Sequence, residues 1–180
     1  MIFTLVGSRK APEFIQYVAS EIGRYLASKG YVRRSGGALG MDSAWLKYGP
    51  YDNDEIYRHD NRRGCINVCD YDLHEYMELA ETLVPHWDYL DDVSKLLHAR
   101  NCCQVLGTDL KTPSKALFYY AELSNKCVKG GTASSVRLAQ RHNIPTFNLR
   151  DKDVLNWWCE QLDIEQPPEQ LSTNLSFLEK

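Results

Sequence analysis

Two glycine-rich stretches have the composition of phosphate-binding loops. Residues 34–45 read RSGGALGMDSAW and residues 129–139 read KGGTASSVRLA. Glycine lets the backbone approach an anion closely, and a helix that follows directs its free N–H groups and partial positive charge at that anion. A third turn of small residues, GSRKAP at 7–12, follows the first apolar run. We therefore expect these three turns to form the walls of one phosphate-binding site.

The turns also supply side-chain donors for a phosphate. Hydroxyl groups are carried by Ser8, Ser35, Thr132, Ser134 and Ser135. Arg9 stands where a guanidinium could hold a phosphate through two hydrogen bonds. The alternative is that each stretch is only a tight turn capped by Ser or Asp. The pattern is neither a GxGxxG fingerprint nor a Walker A motif, so it gives no support for ATP hydrolysis.

Strands and helices alternate along the chain in the order that places such turns at one edge of a sheet. The apolar patterns predict strands at 1–6, 31–35, 54–59, 65–69, 115–122 and 144–149, and helices at 12–29, from about 41, 72–84, 91–107, 132–143 and 154–162. A strand, helix, strand, glycine turn and helix open a doubly wound sheet. We therefore predict a single α/β Rossmann-like domain with a mainly parallel sheet flanked by helices.

Composition limits the partners of the chain. The 180 residues are 43% apolar and 25% charged, with a net charge of −3. Nucleic-acid binders usually carry a basic surplus, so we do not expect nucleic acid as a partner; a local basic cleft is the alternative that net charge leaves open. No apolar run is long enough to cross a membrane, and the first ten residues do not resemble a secretory signal, so we expect a cytoplasmic protein. The six cysteines form no CxxC pair and are interpreted as buried thiols, and we expect neither a metal nor a cofactor.

Four segments in order make the chain similar to a known family. VGSRKAP, SGGALGMDSAW, LHARNCCQVLG and KGGTASSVRLAQRHNIPTFNL resemble the Rossmann-like family of DNA-processing protein A (DprA) and the LOG-type proteins, the SLOG superfamily. The likeness is strongest to small stand-alone DprA-like proteins of bacteriophage genomes. It covers residues 1–150, the expected nucleotide-binding domain, and leaves 151–180 as a C-terminal helix and tail.

The resemblance implies a site for a nucleotide or a nucleotide-derived small molecule. The first two loops would contribute Gly7, Ser8 and Arg9, and then Ser35, Gly36, Gly37, Gly40 and Asp42. The third loop would contribute Gly130, Gly131 and Thr132, and Arg100 and Asn101 match an Arg-Asn pair of DprA proteins. We also expect Gly131 to have a positive φ and to tolerate no side chain.

One departure from the family bears on catalysis. LOG-type phosphoribohydrolases carry a Gly-Gly-x-Gly-Thr-x-x-Glu motif, but the residue three positions after Thr132 is Ser135. The main hypothesis is therefore a protein that binds or sequesters a nucleotide-derived ligand. A LOG-type N-glycoside hydrolase or transferase, with Asp42 or Glu122 as its acid, is an alternative. DprA-like binding of single-stranded DNA is a second alternative, which the net charge disfavours.

Other residues have two interpretations each. His98 is either a proton donor in the cleft or a core histidine, and Trp87 either stacks on a base or packs inside. Arg58 is a second candidate phosphate ligand. Trp157 and Trp158 cannot face the same way on a helix, so one is expected to be buried and the other to meet a partner subunit in a homo-oligomer.

Overall fold

A computed structural model describes residues 1–125 and 127–167, which form an α/β fold around a parallel sheet. Its elements are β1 Ile2–Gly7, α1 Glu13–Ser28, β2 Val32–Ser35, α2 Met41–Trp45, β3 Glu55–Arg58, β4 Ile66–Asn67, α3 Leu73–Glu81, α4 Asp92–Leu106, β5 Ala116–Tyr120, β6 Leu123–Ser124, β7 Cys127–Val128, α5 Thr132–Arg141, β8 Thr146–Asn148 and α6 Lys152–Gln161. Short 3-10 helices occupy Val68–Asp70 and Trp87–Tyr89. Within the described ranges, no helix has the length and apolar character needed to span a bilayer.

The sheet has the strand order β4-β3-β2-β1-β5-β8, and all of its neighbours are parallel. The chain builds outward from β1 to β4 and then returns to place β5 against the other side of β1. The order therefore reverses between β1 and β5, and open α/β sheets bind ligands beyond the carboxyl ends of the strands at such a point. The predicted fold class, a Rossmann-like domain with a mainly parallel sheet flanked by helices, is confirmed.

Three parts of the sheet and its connections differ from the expected elements. The strand expected at 65–69 is paired only at Ile66–Asn67, because the Asn67 side chain accepts a hydrogen bond from the Cys69 backbone and starts a 3-10 turn. The antiparallel hairpin of β6 and β7 lies between β5 and the third glycine loop, and no pattern predicted it. The helix expected from residue 41 is one turn long.

The C-terminal helix packs onto the main core. Leu155, Trp158 and Cys159 of α6 are buried in the same cluster as residues of β1 and α1. A domain boundary near residue 150 stays a prediction. The polar tail expected after α6 lies mostly at 168–180, outside the described residues.

Helices α1 and α2 approach so closely that one position of α1 has room for hydrogen only. Trp45 of α2 is fully buried, and its indole Nε1 donates to the Val6 carbonyl at 3.1 Å. A Cβ atom on Gly23 would lie 1.9 Å from the Trp45 carbonyl oxygen. The Arg33 guanidinium donates to the carbonyl oxygens of both Gly23 and Trp45. This contact holds α2, and with it the second glycine loop, against the sheet.

Replacing Gly23 with alanine is expected to destabilise the protein, although alanine normally stabilises a helix by about 1 kcal/mol relative to glycine. The added methyl group would overlap the Trp45 carbonyl, and such overpacking typically costs about 1–3 kcal/mol. Urea denaturation measures the free energy of unfolding. Ser28→Ala, at an exposed position of the same helix, is the control and should stay within about 0.5 kcal/mol of the parent. A Gly23→Ala protein more stable than the parent would contradict the close contact.

Candidate functional site

A cleft opens beyond the carboxyl ends of β1 and β5, at the point where the strand order reverses. Its volume is about 570 Å³, inside the range of roughly 300–1,000 Å³ that is usual for small-molecule sites. The expected site residues that line it are Gly7, Ser8, Arg9, Asp42, Arg100, Asn101, Gly130, Gly131 and Thr132. The structure thus brings parts of all three loops, and the Arg-Asn pair of α4, to one place.

The first loop presents two basic side chains to the cleft. The Ser8 backbone N–H donates to the Tyr120 carbonyl at 2.8 Å, which fixes the loop to the end of β5. The Ser8 hydroxyl accepts from the Lys10 backbone N–H at 3.1 Å and thereby closes the turn. Arg9 and Lys10 are exposed, and within the described part of the chain the Arg9 guanidinium has no hydrogen-bond or ion-pair partner.

The second loop supports the cleft more than it lines it, because Ser35, Gly36, Gly37 and Gly40 are not among the lining residues. A Cβ on Gly36 would lie 2.5 Å from the Arg100 guanidinium carbon. Gly40 has a φ of +86°, and a Cβ there would lie 2.6 Å from the Arg9 Cα. These glycines let neighbouring walls approach each other. Moreover, α2 is too short for its dipole to direct much positive charge at a phosphate, which corrects the expectation for this loop.

Asp42 and Arg100 are buried charged groups at the cleft, 4% and 9% exposed. Burial raises the pKa of the Asp42 carboxyl, and the Arg100 charge and the Ala38 N–H act against that rise. Burial lowers the pKa of the Arg100 guanidinium, while the Asp42 charge raises it. Asp42 and Glu122, the two carboxyls named for the hydrolase alternative, both line the cleft, and that alternative stays a prediction.

The Arg100 guanidinium is poorly satisfied by the protein. Its Nη1 lies 3.5 Å from the Gly36 carbonyl, at the limit of a hydrogen bond, and its Nη2 donates to the Asn101 Oδ1 at 3.1 Å. Its buried Nε has no hydrogen-bond partner. An anion in the cleft would supply the missing acceptors.

Asn101 joins α4 to the third loop. Its Nδ2 donates to the Gly131 carbonyl at 3.0 Å and to the Ser134 hydroxyl oxygen at 3.1 Å. The His98 Nδ1 lies 2.8 Å from the same Ser134 oxygen. This network fixes the start of α5 relative to α4. The first turn of α5 has no side-chain cap, and its Ala133 N–H donates to the Gly130 carbonyl at 3.1 Å, so a ligand would bond to the other N–H groups of this turn.

The expectation of a positive φ at Gly131 is wrong. Gly131 has a φ of −60°, because it already adopts the helical conformation at the N-cap of α5. The positive φ falls on Gly130, at +73°. A Cβ on Gly131 would meet no atom within 4 Å. Gly130 is therefore the residue of this loop whose backbone requires glycine.

Several lining residues were not among the candidates from the sequence. These are Val6, Lys10, Ala38, Ser94, Leu97, Gln104, Ala121 and Lys129. One face of α4 is polar, although the face of a helix that packs inside a protein is usually apolar. The polar residues recur at helical spacing: Ser94, His98, Asn101 and Gln104. That spacing is the signal that could have identified Gln104.

For the residues that had two interpretations, the structure shows the surroundings of each side chain. Trp87 packs against the core with Lys95 over its ring at 5.6 Å. Arg58 donates to Asp60, so its charge is already paired. Trp158 is buried and Trp157 is 52% exposed, as expected from their spacing. A homo-oligomer that uses Trp157 stays a prediction.

A solved structure with a similar fold is that of DNA processing protein A from Helicobacter pylori, which is described for its single-stranded DNA binding mode. The two chains are 20% identical, the TM-score is 0.54, and the match covers 92% of this chain and 74% of the other. At this identity the match shows the fold, which is DprA-like. No protein-family model and no curated protein matches the chain. The SLOG and bacteriophage relationships stay predictions.

The exclusion of nucleic acid as a partner is contradicted by this similarity, because the H. pylori protein with this fold binds single-stranded DNA. The error came from using the net charge of the whole chain. That value averages over the entire surface, whereas Arg9, Lys10, Arg100 and Lys129 are gathered at one cleft. Local rather than net charge decides whether a cleft attracts phosphates.

The His98 imidazole is expected to titrate below its ordinary pKa of 6.5, because burial lowers this pKa and the charges of Arg100 and Arg137 lower it further. The folded pKa is below the unfolded one, so neutral His98 stabilises the fold above pH 6.5 and this contribution is lost as the pH falls through the folded pKa. An NMR titration of the ring measures the pKa directly.

The same shift should be visible in thermal unfolding. His98→Gln should reduce the loss of melting temperature between about pH 7 and about pH 5. The exposed His142→Gln is the control and should leave that loss unchanged. An NMR midpoint at or above the ordinary value would contradict the half-buried position of His98 beside Arg100 and Arg137.

Proposed function

We propose that the cleft binds single-stranded nucleic acid, with single-stranded DNA as the principal ligand, through its phosphate groups. The observation that carries this proposal is the convergence of four basic side chains, those of Arg9, Lys10, Arg100 and Lys129, on one cleft of a chain whose net charge is −3. The similarity in fold to a DNA processing protein that binds single-stranded DNA supports the same ligand.

Each wall of the cleft has a separate task in this proposal. Arg9 and Lys129 are exposed at the first and third loops and attract the strand through charge. Arg100 is buried with its Nε unbonded, so a phosphate oxygen would complete its hydrogen bonds. The uncapped N-terminus of the ten-residue helix α5 adds backbone N–H donors beside it. Together these groups form a phosphate site that does not depend on the base sequence.

The dimensions of the cleft fit one nucleotide unit of a longer strand. Proteins that bind single strands usually add aromatic rings on which the bases stack. Among the described lining residues, the His98 imidazole is the one aromatic ring. Phosphate contacts therefore supply most of the affinity, and binding should weaken steeply with salt.

A free nucleotide is the second candidate ligand. The cleft volume of about 570 Å³ favours it, because sites of this size can enclose a small molecule. The two candidate ligands differ in the number of phosphates, because a strand can bind more tightly through the phosphates on either side of the bound nucleotide. A labelled oligothymidylate of about ten nucleotides, competed with thymidine monophosphate, separates them. Equal affinity per molecule for the two would favour the free nucleotide.

Arg9→Ala and Lys129→Ala are each expected to weaken binding of the labelled oligothymidylate by about tenfold or more, because a hydrogen bond to a charged group is worth about 1.5–3 kcal/mol. Each should also reduce the slope of log affinity against log salt by about 0.7. Fluorescence anisotropy across a salt series measures both quantities. Both side chains are exposed, so folding should be unaffected.

Lys111→Ala is the matched control, because Lys111 is an exposed lysine before β5, at the opposite edge of the sheet. It should change neither the affinity nor the salt slope. If all three variants bind like the parent, the cleft is not the binding site.

A further inference from the structure

Buried polar atoms without a hydrogen-bond partner concentrate around one part of the cleft. In the described residues they are Ser35 Oγ, His59 Nδ1, Arg100 Nε, Gln104 Nε2, Gln104 Oε1 and Ser135 Oγ. Arg100, Gln104 and Ser135 line the cleft, and Ser35 precedes Gly36, which packs against Arg100. Native proteins satisfy almost all buried polar groups, so such a cluster points to a missing ligand.

Gln104 is the least satisfied member of this cluster. Its side chain is fully buried, and neither its amide nitrogen nor its amide oxygen has a partner. Its backbone carbonyl accepts from the Thr4 hydroxyl at 2.6 Å, so the helix is fixed here without help from the amide. An unpartnered amide is worse for folding than an apolar side chain of the same size. The amide therefore contributes nothing to the fold that an apolar side chain would not.

The chemistry of the cluster shows which ligand group it lacks. A phosphate offers acceptors, which would satisfy the Arg100 Nε. It offers no donor for the Gln104 oxygen. A glutamine amide presents a donor and an acceptor side by side, and the edge of a nucleobase presents the complementary pair, as adenine does with N6 and N7.

We propose that Gln104, together with Ser135, forms the floor of the cleft and reads the hydrogen-bonding edge of a nucleobase. This inference rests on the proposed function, since the loops must hold the phosphate of the same nucleotide. The base enters when the Arg100 guanidinium moves toward that phosphate. Arg100 and Gln104 both pack against Gly36, within 2.5 Å of where its Cβ would be, so this movement uncovers the amide.

Gln104→Met tests the proposal, because methionine has a similar shape and no hydrogen-bonding group. Homopolymeric oligonucleotides of dA, dC, dG and dT serve as probes, with affinity measured by anisotropy and stability by thermal unfolding. The parent should prefer one base by about 5- to 150-fold, the range of one paired base contact. Gln104→Met should lose that preference, keep its salt slope and melt at the same temperature as the parent or higher.

Controls separate this proposal from the phosphate site. The exposed Gln140→Met should change neither preference nor stability, and Arg9→Ala should weaken all four probes equally. Ser135→Ala is a second floor variant and should also reduce the preference, which keeps the test decisive if Gln104→Met does not fold. If the parent binds all four probes equally, base reading is wrong and the phosphate site stands. If the parent binds none of them, the proposed function fails as well.

Discussion

The incomplete bonding of the Arg100 guanidinium is the constraint on which the cleft depends. A buried guanidinium needs acceptors for five N–H groups, and here it has a long contact to Gly36, one bond to Asn101 and none at Nε. The charge of Asp42 offsets part of the cost of burial without forming an ion pair. The protein thus holds a buried cation whose Nε lacks an acceptor, and we propose that an anion in the cleft supplies it.

Contacts in other parts of the fold hold the elements around Arg100 in place. Trp45 and Gly23 fix α2 against α1, and Gly36 allows Arg100 to lie against the end of β2. Asn101, the neighbour of Arg100, ties the third loop to α4. A ligand that moves Arg100 would therefore change the positions of all three loops, since each loop contacts this part of α4 directly or through one neighbour.

The sequence predicted the parts of the fold that depend on periodic patterns and on turn chemistry. The α/β class and the long helices α1, α4 and α5 followed from apolar spacing, and the glycine loops marked the edge that carries the cleft. The β6–β7 hairpin could not be predicted, because strands of two residues have no periodicity to detect. Gln104 could have been identified from its helical spacing with His98 and Asn101, but its lack of hydrogen-bond partners is visible only in the packed structure.

The net charge of the sequence led to the wrong prediction about nucleic acid as a partner. The net value disfavoured nucleic acid as a partner, whereas the ends of β1 and β5 bring basic residues from distant parts of the chain together. The positive φ expected at Gly131 belongs to its neighbour Gly130, because the position of the N-cap could not be fixed to within one residue from composition.

A crystal structure of the protein with a short oligothymidylate tests the central claim most directly. We expect a phosphate oxygen within hydrogen-bond distance of the Arg100 Nε, with further contacts from the N-terminus of α5 and the Arg9 side chain. An oligonucleotide bound on another surface, with the Arg100 Nε still without a partner, would contradict it.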